Sequence, residues 1–183
     1  SNENWELVSD KNRVQFYKKD ISITSFPAYR IEFETDIPIE ILRDALWDLE
    51  IYKDLFKKSY TIEAETYELF DENHKSGYQI IDVPFIAPRL YQFDTYRFDD
   101  HIHWVKNYSN HTSSTEGMII PDINFGSWEF VKQSGKTRIV YKLSNDPMGR
   151  IPKWIIEYAN ESYLPDMLLN VEKWVRENRV NKD

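Results

Sequence analysis

Two histidines one residue apart, His101 and His103, put two imidazoles on one face of an extended segment. That is half of a metal site. Spacing marks no third ligand, since His74 and His111 stand well apart, and Asp99-Asp100 beside the pair is a good tight turn. Solvent-exposed imidazoles are the simpler expectation. Carboxylates cluster at Asp71-Glu72, Asp99-Asp100 and Glu63 with Glu65. General acid–base chemistry needs such a group in a pocket with a raised pKa, whereas these flank turns or sit on polar strand faces. No Gly-x-Ser-x-Gly elbow, phosphate-binding loop or dinucleotide fingerprint is present. Cysteine is absent, which removes thiolate nucleophiles, disulfides and Cys-based zinc or iron–sulfur sites. No cofactor is implied. The conspicuous stock is aromatic: 6 Trp, 12 Tyr and 10 Phe make up 15% of 183 residues, against only 5 Gly.

The net charge of −8 disfavours general nucleic-acid binding, which needs a basic stripe to displace counterions. No run of ~18 apolar residues exists to span a bilayer. Ser1-Asn2 reads as the scar left by tag removal, so a leader could have been cut away. The compartment is left open between cytoplasm and export. Without linkers or internal repeats, residues 1–183 read as one domain, expected to act as a monomer.

The elements that must carry the aromatics follow from periodicity. Ala28 to Asp36 alternates, with Tyr29, Ile31, Phe33 and Thr35 opposite Arg30, Glu32 and Glu34; this is a half-buried antiparallel strand. Arg13–Lys18 alternates similarly. Ile39, Leu42, Leu46 and Leu49 then recur at helical spacing, predicting a helix over Pro38–Leu49. Further strands are expected at Tyr60–Phe70, Ser76–Val83, Arg89–Asp99, His101–Tyr108, Thr115–Val131 with a bend, and Thr137–Asn145. Their short connections, such as Asp71-Glu72-Asn73 and Gln133-Ser134-Gly135-Lys136, favour antiparallel neighbours. A final helix should start near Pro152, with Ile151, Ile155 and Tyr158 or Ala159 on one face. Its stripe continues through Leu164, Leu168, Val171 and Val175, with a kink or break at Pro165. So wide an apolar face must be covered, and the sheet is the partner large enough. The fold class expected is α+β: a curved antiparallel sheet around a long C-terminal helix, an architecture that often leaves a cavity.

The C-terminal third resembles the steroidogenic-acute-regulatory-protein-related lipid-transfer (START) family. The matching residues are Gly126-Ser127-Trp128, Thr137 with Tyr141, Asp146-Pro147-x-Gly149-x-Ile151-Pro152-x-Trp154, and Pro165. Upstream, Pro84-Phe85-x-x-Pro88-Arg89 is similar to the family's proline-rich loop before an Arg-Asp strand. The Trp5 region and Asp48-Leu49-Glu50 fit weakly, so the resemblance covers nearly the whole chain. Two positions depart: Leu90 follows Arg89 where the family has Asp, and Thr95 stands where many members carry a cavity-facing Arg. Arg97, one pleat on along the same strand face, is the candidate substitute. The resemblance implies a helix-grip fold and non-covalent binding of one lipid-like molecule in an internal tunnel, for transport or sensing. The last helix and the Pro84–Pro88 loop would be its lid.

The candidate ligand contacts are therefore Asp82, Phe85, Ile86, Arg89, Phe93, Thr95, Arg97, Trp128, Tyr141, Trp154, Ile155 and Tyr158. Phe85 and Ile86 are expected on a lid able to touch a membrane transiently, or else folded on the core. Neither face of Arg89–Asp99 is cleanly apolar, which suits the wall of a cavity holding an amphipathic ligand. The competing reading is a closed internal network, such as Asp82 with Arg97. Trp154 and Tyr158, at i and i+4, are expected to face the sheet. The partner expected is a lipid or other hydrophobic small molecule. The rival is a polyketide cyclase or aromatase using Arg97, Asp82 and tunnel tyrosines as acid–base groups.

Overall fold

In the computed structural model, which describes residues 4–108 and 115–180, the alternating segments become strands of one antiparallel sheet. They are β1 (Glu6–Lys11), β2 (Val14–Lys19), β3 (Ala28–Thr35), β4 (Thr61–Asp71), β5 (His74–Ile81), β6 (Arg89–Arg97), β7 (His101–Lys106), β8 (Ile123–Gln133) and β9 (Lys136–Asp146). The order across the sheet is β1-β2-β3-β9-β8-β7-β6-β5-β4. Two hairpins turn on paired left-handed residues, Asn12-Arg13 (φ 53° and 62°) and Ser134-Gly135 (φ 50° and 78°). Such primed turns match the right-handed twist of their strands.

After β3 the chain crosses the concave face through α1 (Ile39–Trp47) and α2 (Tyr52–Leu55) to reach the far edge. It then zigzags back until β9 pairs with β3, Ile31 opposite Tyr141. The final helix, α3 (Lys153–Val175), lies across the same face. Its residues Leu164, Met167, Leu168, Val171 and Val175 are buried in one core with Phe16, Ile31, Phe130 and Ile139 and with Leu42 and Leu46 of α1. Burying such a side chain contributes about 1.5–3 kcal/mol. This face holds the sheet and helix together.

Glu172, 6% exposed, ties the C-terminal half of α3 to the sheet. It accepts hydrogen bonds from Thr35 Oγ1 at 2.7 Å, from Arg13, and from Arg176 at 3.4 Å. Burial alone would raise its pKa, but Arg13 and Thr35 outweigh burial and hold the carboxyl below its ordinary range.

Three expectations are corrected. The strand expected from Thr115 begins only at Ile123; Pro121 has no N–H for a ladder. The segment before it makes only a parallel bridge from Ile119 to Arg89. β1 escaped periodicity because its Glu-Leu-Val-Ser-Asp-Lys sequence sits exposed on a sheet edge. Of the kink or break expected at Pro165, the break does not occur: helix α3 runs through it, because flanking burial outweighs one lost backbone bond. The tag-scar expectation at Ser1-Asn2 and His111 lie outside the described residues. Among the described residues no helix is long and apolar enough to cross a membrane.

Candidate functional site

Between the concave sheet and the first half of α3 lies a cavity of about 300 Å³, the lower end of the range for small-molecule sites. The sheet fills its wall by parity. On β6 the inward face is Arg89, Tyr91, Phe93 and Thr95; Trp104 comes from β7, Asn124 and Trp128 from β8, and Tyr141 and Asn145 from β9. The roof is Ile156, Ala159, Asn160 and Tyr163 of α3, with Val83 and Ile86 of the proline-rich loop.

Gly126 on β8 makes room for part of this wall. A Cβ there would lie 2.5 Å from Trp104 and 2.2 Å from the Lys142 carbonyl. Trp104 therefore lies against bare backbone, stacks on Tyr141 at 5.8 Å, and donates through Nε1 to Asn124 Oδ1 at 3.2 Å. Arg89 is 4% exposed and acts as a staple. It donates to the carbonyls of Pro147 (3.1 Å), Met148 (2.9 Å) and Ala87. Gly149, at φ 85°, turns the chain close around it.

Asn145 donates through Nδ2 to the Tyr91 hydroxyl at 3.0 Å. Burial pushes the phenols of Tyr91 and Tyr141 up, so both stay protonated at neutral pH. Thr95 donates its hydroxyl to the His103 carbonyl at 3.2 Å. Among the described residues no carboxylate, histidine or lysine lines the cavity.

Of the twelve candidate residues, the cavity gathers Ile86, Arg89, Phe93, Thr95, Trp128 and Tyr141. The other six are elsewhere. Arg97 lies beyond the interior at the α1 end of β6; it stacks on Trp47 at 4.9 Å and donates to the Glu72 carbonyl and Asn73 Oδ1. Asp82 lies past the opposite end of the β5–β6 hairpin, so the Asp82–Arg97 network does not form. Phe85 projects fully into solvent from a backbone at φ 70°. Trp154 and Tyr158 are 68% and 70% exposed, and Ile155 is 40% exposed. The first turns of α3 are thus rotated from the expected orientation. Their most aromatic face looks outward, and the smaller Ala159 and Asn160 face the cavity.

The lining residues missed include Tyr91, Trp104, Asn124 and Asn145. Parity could have found three of these, because Tyr91 shares a face with Phe93, Asn124 with Trp128, and Asn145 with Tyr141. The unsorted pattern of β6 has a second cause besides the cavity. Its outer face is covered too, leaving Leu90 and Gln92 at 0% and 2% exposure.

His101 and His103 lie away from the cavity, on the sheet's outer face. They stack in a row with Phe98, Tyr96 and His74 at 4.3–5.7 Å. No group of three residues able to hold a metal occurs among the described residues. Asp99 and Asp100 are exposed, as are Asp71 and Glu72.

No protein-family model matches this chain, and no curated protein matches its sequence. Solved structures match its shape. Human STARD10 aligns with a TM-score of 0.82 at 18% identity, over 95% of this chain and 74% of that one. The STAR-related lipid transfer protein fragment of Xanthomonas axonopodis gives 0.76 at 15% identity, over 96% and 98%. The Zhui aromatase/cyclase of a Streptomyces species gives 0.57 at 12% identity, over 85% and 98%. The fold is the START helix-grip fold.

Proposed function

We propose that this domain binds one hydrophobic small molecule, a lipid or lipid-like compound, non-covalently in the cavity under α3, and carries or presents it. The observation that carries this reading is the aromatic, largely apolar cavity roofed by a loop and half a helix. About 300 Å² of ligand surface removed from water contributes ~7–8 kcal/mol at ~25 cal/mol per Å². That supports micromolar retention before ordering costs. The cyclase reading is weaker. Arg97 and Asp82 do not reach the cavity, and Arg89 is held by three backbone carbonyls.

Release would use the two elements that cover the cavity. Each carries exposed aromatics on its outer side, Phe85 on the loop and Trp154 and Tyr158 on α3. The apolar ring of Phe85, and Trp154 and Tyr158 with their polar tips, suit transient contact with a bilayer interface. Native mass spectrometry of protein expressed in cells, followed by organic extraction, tests the reading. One stoichiometric lipid class is expected. A reproducibly empty protein that also refuses fluorescent lipids would sink the proposal. Phe85→Asp is expected to slow lipid exchange between vesicles several-fold with an unchanged melting temperature; exchange at the original rate would remove the loop from the release step.

A further inference from the structure

Apart from Arg89 the polar groups of the cavity wall are neutral, and one adjacent pair is left half-used. Asn145 Nδ2 donates to Tyr91 Oη at 3.0 Å, while Asn145 Oδ1 is buried with no hydrogen-bond partner among the described residues. The phenol that accepts this bond still has its own proton to donate. Turning the amide over exchanges the roles: Tyr91 then donates to Oδ1, and Nδ2 is left over. In either arrangement one hydrogen-bonding group of this cavity-lining pair is left unpaired, an unfavourable state, and because Asn145 Oδ1 is fully buried as found, a ligand must displace the amide slightly to pair with it. A hydroxyl donates one bond and accepts two, so it complements both arrangements. A carboxylate only accepts, and in the arrangement as found it could take the Tyr91 proton but would leave Asn145 Oδ1 unpaired.

Charge points the same way. Arg89 is the sole Lys, Arg or His side chain among the described lining residues, and three of its five N–H donors go to the carbonyls of Ala87, Pro147 and Met148. No carboxylate is there to receive an ammonium group. An ammonium group would enter this space without a partner, and an anion would have to draw Arg89 away from the carbonyls it holds; both are costly.

We infer that the cavity selects an uncharged amphiphile with a hydroxyl as its polar group, seated between Asn145 and Tyr91 with its apolar body against Phe93, Trp104 and Trp128. This rests on the ligand-binding reading above and narrows it to a chemical class. The test is a matched series titrated into delipidated protein, read by calorimetry and by fluorescence of the wall tryptophans. The probes are dodecan-1-ol, tridecane, dodecanoate and dodecyl phosphate. The alcohol is expected to bind about tenfold more tightly than either anion, and several-fold more tightly than the alkane. Asn145→Leu and Tyr91→Phe should each bring the alcohol-to-alkane ratio close to one. An anion binding as tightly as the alcohol, or an alkane equal to it, overturns the hydroxyl assignment and leaves cavity binding standing. Failure of all four probes overturns cavity binding itself, and this inference with it. The series on the unaltered chain decides the matter even where a variant fails to fold.

Discussion

Gly126 lacks a side chain where Trp104 must lie flat, and this one position gives the Gly-Ser-Trp sequence a physical meaning. The glycine admits Trp104, and Trp128 two residues on enters the core and packs, tilted, against Tyr141 at 4.3 Å. Gly126→Ala would force its Cβ into the Lys142 carbonyl and the Trp104 ring. The expected cost is about 1–3 kcal/mol, typical of overpacking. It should appear as a lower melting temperature with an altered near-ultraviolet tryptophan signal. An unchanged near-ultraviolet spectrum would mean that Trp104 does not depend on the glycine.

Helix α3 divides into halves with different duties. From Leu164 onward it is core, and Glu172 fastens it to β3 through Thr35 and to the β1–β2 turn through Arg13. Before Tyr163 it roofs a cavity and shows its aromatics to solvent. The anchor has a pH signature. Glu172 titrates below its ordinary value of about 4.5 in the folded protein. Fewer protons are then bound folded than unfolded, and the stability this contributes is full above about 4.5 and drains away as pH falls through the folded value. Glu172→Gln should therefore cost about 1–2 kcal/mol at pH 7. The difference should shrink as pH falls below 4.5, measured by urea unfolding across pH 3–7. A difference that stayed constant over that range would mean the carboxylate charge is not what fastens the helix.

For the molecule as a whole, the net charge of −8 bears on where the proposed ligand exchange would take place. An acidic domain is repelled by anionic leaflets, within a Debye length of roughly 8–10 Å at physiological salt. Lipid exchange with zwitterionic phosphatidylcholine vesicles is expected to be several-fold faster than with phosphatidylserine-rich ones, and the gap should close as salt is raised. Faster exchange with the anionic vesicles at low salt would show that a local basic patch, not the overall charge, governs docking.

The strand and helix order was legible in the sequence because it rests on local periodicity. Alternation in Ala28–Asp36 and the three-four spacing of Ile39, Leu42 and Leu46 are properties of neighbouring residues, and the paired-turn residues at Ser134-Gly135 fix a hairpin register by themselves. Parity likewise carried Phe93, Thr95, Trp128 and Tyr141 to one concave face. Tertiary structure decided what local pattern could not. The rotation of α3 depends on which of its faces the curved sheet accepts; that choice put Ala159 and Asn160 over the cavity and left Trp154 and Tyr158 outside, against their hydrophobicity. Arg97 shares the inward parity of Tyr91 but lies where the strand has already passed the interior. The pairing of Asn145 with Tyr91, 54 residues apart on non-adjacent strands, exists only because the sheet curves enough to bring their ends together. Curvature is a sum over every strand's twist, so the chain determines it only as a whole.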